Sequence, residues 1–343
     1  MLSWQPPSHW QRITTIDAHT AGEPLRMITS GFPELPGSTI LEKRQYARQH
    51  YDHLRRTLMF EPRGHADMYG CILVPPVTPD GDVGVLFMHN EGFSTMCGHG
   101  IIGLVKVGVE TGLFPADSTQ RIIRIDTPAG RVTATAHMKE GKVERVSFLN
   151  VPSFLLERAL KVEVAGVGTV TYDLAFGGAF YAYVDADSLG LELTPENQRQ
   201  LIDVGMRIKR AVMASYMIKH PDPHAGADLN FLYGTIFVKL TPDGPSHSRN
   251  VCIFAEGEVD RSPTGTGVSG RLAIHQAKGE IGTETIIIES ILGTTFSGRV
   301  ADTAQIGHVS GIIPEVAGTA YITGRHEFLI DPDDPLTQGF ILR

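Results

Sequence analysis

Apolar positions along this chain follow two rhythms, a two-residue alternation over most of its length and a few continuous apolar runs that begin in glycine-rich turns. Residues 13–19 alternate like a strand, Thr20-Ala21-Gly22-Glu23-Pro24 is a turn by composition, and 25–28 reads as the returning strand. Ser38 is the expected N-cap of a charged helical segment that carries Leu41, Tyr46 and residues 50–54 at helical spacing. Residues 61–70 are polar and punctuated by glycine, so they form a loop. Strands are predicted at 71–74, 83–88, 122–125 and 131–137. The second half repeats this grammar, with strands at 162–164, 170–174, 180–184, 232–240 and 251–255. Thr194-Pro195-Glu196 opens a helix running towards Met213, with Thr194 as N-cap and Pro195 as the first helical residue. Residues 320–324 and 327–330 read as a final strand pair that returns to the first half.

Two apolar helices stand out because each starts in a turn of small residues. Met96-Cys97-Gly98-His99-Gly100 runs into Ile101-Ile102-Gly103-Leu104-Val105-Lys106-Val107, and Pro263-Thr264-Gly265-Thr266-Gly267-Val268-Ser269-Gly270 has the same design. Laid over each other, Cys97 falls on Thr264, Gly98 on Gly265, His99 on Thr266, Gly100 on Gly267, Gly103 on Gly270 and Gly112 on Gly279. After a four-residue slip, Ile125-Asp126-Thr127 with Gly130 matches Ile288-Glu289-Ser290 with Gly293. This long-period repeat predicts two pseudo-symmetric lobes whose turns face each other across a cleft. Halving it places a first lobe at 1–150 and a second at 151–314, with residues 315–343 returning to the first. The pattern is strand-rich with one prominent helix per lobe, which is α+β rather than a doubly wound parallel sheet.

Composition narrows the functional classes. A chain of 343 residues suits two domains of ordinary size, and 42% apolar with 20% charged residues are globular values. A net charge of −8 without a basic cluster argues against nucleic acid or an anionic membrane as partner. Cys71, Cys97 and Cys252 are too few and too widely spaced for a disulfide framework or a structural zinc site, and suggest a reducing compartment. The opening Met1-Leu2-Ser3-Trp4-Gln5-Pro6-Pro7 lacks the basic-then-apolar run of a signal peptide, and no apolar stretch is long enough to span a bilayer. A cytoplasmic location is expected.

The two turns are where chemistry is expected. Unpaired N–H groups and the dipole at a helix N-terminus stabilise an anion, so Cys97 should be more acidic than a free thiol; the bland alternative is an inert core cysteine. Both turns also fit the G-x-G-x-x-G pattern of dinucleotide sites, but neither opens the chain's first βαβ unit, and Asp260, Arg261 and Pro263 interrupt the strand that should lead into the second. His19, His65, Asp67 and His224 show no recognised ligand spacing, so no metal is expected.

Four blocks carry a resemblance to the proline racemase family: Asp17-Ala18-His19-Thr20-Ala21-Gly22-Glu23-Pro24, Pro62-Arg63-Gly64-His65-Ala66-Asp67-Met68, Met96-Cys97-Gly98-His99-Gly100, and Asp260-Arg261-Ser262-Pro263-Thr264-Gly265-Thr266-Gly267. Racemases and 4-hydroxyproline epimerases of this family carry a cysteine in both turns. Thr264 departs from that, in the pattern of the trans-3-hydroxy-L-proline dehydratases. The resemblance implies a diaminopimelate-epimerase-like fold of two similar lobes, each strand-rich around a central helix, with the active site between them. It implies neither cofactor nor metal, and substrate contacts at Gly98, His99, Asp260, Gly265 and Thr266.

The reaction follows from the asymmetry. Inverting an α-carbon needs a base on one face and an acid on the other, and a threonine hydroxyl without an adjacent base cannot exchange protons near neutral pH. Cys97 is then the competent face. In trans-3-hydroxy-L-proline the α-hydrogen and the hydroxyl share a ring face, so one group there can take the proton and return it to the leaving hydroxyl. The product would be the Δ2 enamine, which tautomerises to Δ1-pyrroline-2-carboxylate. Gly98, His99, Gly265 and Thr266 would hold the carboxylate through the helix N-termini, and Asp260 would pair with the ring ammonium. Competing readings make Asp260 a turn cap, Thr264 a passive filler and His99 a backbone donor whose ring has no assigned role, while Glu23 and Arg63 read as structural. Rival functions are a proline racemase or hydroxyproline 2-epimerase and, from another class, a non-catalytic amino-acid- or dinucleotide-binding protein. The expected partner is a small hydroxyproline-type amino acid, and a homodimer the expected assembly, although oligomeric state is not legible in the sequence.

Overall fold

The computed structural model describes residues 4–115, 119–241 and 244–342, so the first three positions of the N-terminal stretch lie outside the described residues. The first half runs β1 (Gln11–Thr20), β2 (Glu23–Ser30), α1 (Ile40–His50), α2 (Asp52–Met59), β3 (Tyr69–Val74), β4 (Val83–His89), β5 (Gly92–Ser94), α3 (Gly98–Glu110), β6 (Gln120–Thr127), β7 (Gly130–Lys139) and β8 (Lys142–Leu149). The second runs β9 (Phe154–Val164), β10 (Gly168–Phe176), β11 (Phe180–Asp185), α4 (Gln198–Ser215), β12 (Leu232–Leu240), β13 (Ser248–Phe254), β14 (Glu258–Val259), α5 (Gly265–Lys278), β15 (Ile286–Glu289), β16 (Thr295–Ile306) and β17 (Val309–Gly318), and β18 (Ala320–Ile330) closes the chain.

Strand pairing repeats step for step. In the first half β1 and β2 form an antiparallel hairpin, β2 and β3 are parallel, β3–β4 and β4–β5 are antiparallel, β4 and β6 are parallel, and β6–β7–β8 is an antiparallel meander. In the second, β10–β11, β11–β12, β12–β13, β13–β14, β13–β15 and β15–β16–β17 reproduce the same senses in the same order. Helical segments, α1–α2 in one lobe and α4 in the other, make the crossovers that parallel neighbours require. The outermost strand of the second lobe is β9, on β10, and its counterpart in the first is β18, on β1, so the C-terminus does return. β8 and β17 join the lobes.

Each lobe wraps one buried helix. α3 packs against β1, β2, β7, β8 and β18, and α5 against β9, β10, β16 and β17. A helix enclosed by sheet must be apolar or small all round, which is why α3 reads as a continuous apolar run with no polar face. Among the described residues no helix is long and apolar enough to cross a membrane.

Some local expectations change. Thr39, not Ser38, caps α1: its hydroxyl accepts from the Glu42 N–H, the Glu42 carboxylate accepts from Thr39 N–H, and this reciprocal box needs the three-residue spacing that only Thr39 has. The charged segment breaks at Tyr51 into two helices. Thr194 makes no side-chain cap; Pro195–Asn197 form a tight turn and α4 begins at Gln198. The expected final strand pair is one continuous strand, β18, because pairing with β1 along its length carries it through polar positions that a burial pattern reads as a break.

The decisive packing is where the two buried helices meet. A side-chain carbon added at Gly98 would lie 2.5 Å from the Cα of Gly265, and one added at Gly265 would lie 2.7 Å from the Cα of Gly98. The two helix N-termini therefore abut backbone to backbone, an approach open only to glycine. Gly98→Ala is expected to force the helices apart, destabilising the fold by about 1–3 kcal/mol and lowering the melting temperature by several degrees. A thermal melt indistinguishable from wild type would contradict this packing.

Candidate active site

The two abutting helix starts define a cleft lined by Tyr69, Met96, Cys97, Gly98, His99, Tyr181, Tyr233, Cys252, Phe254, Asp260, Thr264, Gly265 and Thr266. Every site residue expected from the sequence is in that set. The cavity holds about 20 Å³, room for roughly one water, so a substrate enters only when the walls part. Larger grooves of about 620 and 590 Å³ lie elsewhere, and the second shares Tyr233 with the cleft.

Backbone geometry makes the cleft an anion cradle. The first intrahelical bonds run from the Ile101 N–H to the Cys97 carbonyl and from the Val268 N–H to the Thr264 carbonyl, which leaves the N–H groups of Gly98, His99, Gly265 and Thr266 ahead of both ladders. The positive ends of both dipoles point at one small volume. Tyr181 holds the Thr266 hydroxyl at 2.7 Å, and Thr20 donates to the His99 carbonyl at 2.9 Å.

Around that cradle the side chains are unequal. Cys97 is the N-cap of α3; its Sγ accepts from the Gly100 N–H at 3.2 Å and lies 3.2 Å from Nδ1 of His99. Burial lowers the His99 pKa to about 4, so the ring is neutral at pH 7. It also hydrogen-bonds the Pro24 carbonyl, which leaves Nδ1 facing the thiol.

The expectation of an acidic Cys97 is overturned. Burial pushes the thiol well above its ordinary range, Asp260 and Glu23 add to the rise, and the Gly100 N–H and Tyr69 phenol oppose it without prevailing. A helix N-terminus contributes at most about 2 kcal/mol, whereas removing a thiolate from water costs more. The pair rests as thiol and neutral imidazole.

Thr264 presents a different face. Its φ of 66° lies in the left-handed region, rare for a β-branched residue, and its buried hydroxyl meets the Cys252 thiol, which burial holds protonated. Backbone strain of this kind at a cleft residue persists only where the surrounding structure holds it. Asp260 caps its own turn by accepting from the Ser262 N–H at 2.8 Å, and it also lines the cleft. Beside it, Arg261 is held by Glu23 at 2.9 Å and donates to the Asp67 carbonyl at 2.8 Å. Glu23 is fully buried, and burial raises its pKa well above the carboxylate range. It is structural as expected, and what it supports is the Asp260 turn of the opposite lobe.

Comparison with known proteins fits this architecture. A family profile described as proline racemase matches residues 15–341. The chain belongs to the proline racemase family. A trans-3-hydroxy-L-proline dehydratase of Colwellia psychrerythraea is 50% identical over 344 residues, covering 99% of this chain and 96% of that one. A 3-hydroxyproline 2-epimerase of Burkholderia multivorans is 43% identical over 332 residues, covering 96% and 98%. The crystal structure of a hydroxyproline epimerase from Agrobacterium vitis, with bound trans-4-hydroxy-L-proline, superposes with a TM-score of 0.90 at 29% identity, covering 97% and 96%.

Sequence reasoning missed the aromatic and thiol walls of this proline racemase family cleft: Tyr69, Tyr181, Tyr233, Cys252 and Phe254. They sit on β3, β11, β12 and β13, strands that the repeat does not mark and that only the fold brings beside the helix starts. The residues weighed for a metal disperse: His19 stacks on Tyr321, His65 is exposed, Asp67 meets Arg261 and His224 lines a different groove.

A raised thiol pKa predicts that alkylation of Cys97 by iodoacetamide in the ligand-free protein follows a pH profile with its midpoint above the ordinary value of about 8.5, because the thiolate forms only above the shifted pKa. A midpoint at or below that value would restore the acidic cysteine.

Proposed function

We propose that this protein is a hydro-lyase that dehydrates trans-3-hydroxy-L-proline to the Δ2 enamine, which tautomerises to Δ1-pyrroline-2-carboxylate. The observation that carries this reading is the inequality of the two facing helix starts. Cys97, with a neutral imidazole at its sulfur, stands on one side, and a threonine hydroxyl beside the buried, protonated Cys252 thiol stands on the other. The high identity to the Colwellia dehydratase supports it.

In the proposed mechanism the substrate carboxylate lies on the N–H groups of Gly98, His99, Gly265 and Thr266, and the ring ammonium meets Asp260. The substrate carboxylate favours a charged imidazole and its ammonium a charged sulfur, so as the site closes His99 takes the Cys97 proton, and the thiolate removes the α-hydrogen from the ring face that also bears the hydroxyl. Negative charge spreading into the carboxylate is met by both helix N-termini, which are already oriented and so need no reorganisation. The Thr264 hydroxyl, beside a protonated thiol rather than a base, returns no proton to the opposite face, so elimination replaces inversion.

The three cysteines are buried and free, which agrees with a reducing, cytoplasmic setting. A homodimer is the assembly we propose, to be read by sedimentation.

Incubation with trans-3-hydroxy-L-proline should release one water per substrate and yield the cyclic imine by mass, with little or no inverted amino acid. Recovery of the 2-epimer without water loss would instead place the protein with its Burkholderia relative. Cys97→Ser should lower turnover by about 10³-fold or more; an unchanged rate would leave only a ligand-binding role. Thr264→Cys puts a thiol on the silent face, and it should introduce measurable epimerisation of hydroxyproline. A variant that remains purely dehydrating would show that Thr264 is not what suppresses inversion.

A further inference from the structure

The reaction requires a proton on the departing hydroxyl at the moment its carbon–oxygen bond breaks. Cys97 is poorly placed in time for that task, since its sulfur must be a thiolate while it accepts the α-hydrogen. Only other groups on the same side of the cleft can act concurrently. His99 holds the proton it took from Cys97 against the sulfur at 3.2 Å and gives its other N–H to the Pro24 carbonyl, so neither is turned towards the leaving hydroxyl. Tyr69 remains.

The first residue of β3, Tyr69 is 3% exposed and lines the cleft beside Cys97. Its ring is fixed edge-on to His99 at 4.7 Å and stacked on His89 at 5.5 Å. Its hydroxyl is 2.6 Å from Oγ of Ser94, and it also faces the Cys97 thiol and the Tyr233 hydroxyl. Burying a phenol costs free energy that a phenylalanine at the same place would avoid, so a hydroxyl in this apolar wall calls for a reason. Burial also keeps it protonated, well above the ordinary phenol range. On the Thr264 side, by contrast, the hydroxyl of Tyr181 is committed to Thr266.

We propose that Tyr69 is the general acid of the dehydration, delivering its phenolic proton to the 3-hydroxyl of the substrate while Ser94 hydrogen-bonds its oxygen. The inference rests on the dehydratase reading above. As the α-carbon–hydrogen bond breaks, the proton passes to the Cys97 thiolate and the electron pair becomes the C2–C3 double bond. The C3–oxygen bond breaks with its pair on oxygen, and the Tyr69 proton completes a water molecule. Tyr69, now phenolate, recovers a proton from the adjacent Cys97 thiol, and the thiolate so formed takes back the proton held on His99, so all three groups return to their resting states and no outside donor is consumed. The transfer is favourable because a departing hydroxide is more basic than the phenolate it leaves behind.

The test separates leaving-group protonation from α-proton removal. In heavy water, Tyr69→Phe should dehydrate trans-3-hydroxy-L-proline about 10²-fold or more slowly, while the unreacted substrate gains deuterium at C2 because the carbanion now returns. With trans-3-chloro-L-proline, whose chloride leaves without a proton, the variant should eliminate within about tenfold of wild type. Equal losses on both substrates, or dehydration by Tyr69→Phe at the wild-type rate, would overturn the assignment. If that variant does not fold, Ser94→Ala decides: a loss on the hydroxy compound alone supports the role, and equal effects on both refute it. A wild-type protein that leaves trans-3-hydroxy-L-proline intact would instead remove the dehydratase reading itself.

Discussion

Two helix N-termini pressed together at Gly98 and Gly265 are the constraint on which the rest of the molecule depends. Their dipoles oppose each other, and without a negative group between them that arrangement is unfavourable. The fold holds it in place by burying both helices in separate wraps of sheet, so the unfavourable electrostatics is offset by apolar packing along the whole of α3 and α5. A small volume of positive potential between the two helix starts is the direct result, and both lobes contribute to it.

Chemistry enters through differences laid over that shared scaffold. Equivalent positions hold Cys97 and Thr264, and the environments diverge in the same direction. The first has an imidazole at 3.2 Å and a tyrosine hydroxyl facing it, while the second has a strained backbone and a hydroxyl that meets only the Cys252 thiol among the groups of the cleft. Proton-handling groups therefore gather on one ring face. A duplicated fold supplies the geometry for inversion, and the loss of one competent face turns the same geometry towards elimination.

The thiol shows how magnitudes decide between two sound arguments. A helix N-terminus does favour a thiolate, and the Gly100 N–H is in place to do so. Yet Cys97 is only 4% exposed, with Asp260 and Glu23 nearby, and desolvation with like charge wins. In the ligand-free cleft the thiol therefore stays protonated, with a neutral imidazole at its side.

What the amino-acid order alone determined is local and repetitive. Glycine spacing in the two turns and the apolar run of α3 are short-range signals, because a helix start and a close backbone approach each restrict residue type within a few positions. From them the two-lobe α+β plan, the facing turns with Cys97 and Thr264, and the return of the C-terminal strands were legible, while the expected contacts at Gly98, His99, Asp260, Gly265 and Thr266 came from the resemblance of sequence blocks. The tertiary structure alone decided the acidity of Cys97, the imidazole beside its sulfur, that Thr39 rather than Ser38 caps α1, and the presence of Tyr69, Tyr181, Tyr233 and Cys252 in the cleft. It also decided that β18 is one continuous strand, since a strand defined by its partner leaves little burial pattern of its own. Desolvation and strand pairing are sums over neighbours distant in the chain, and no window of sequence contains them.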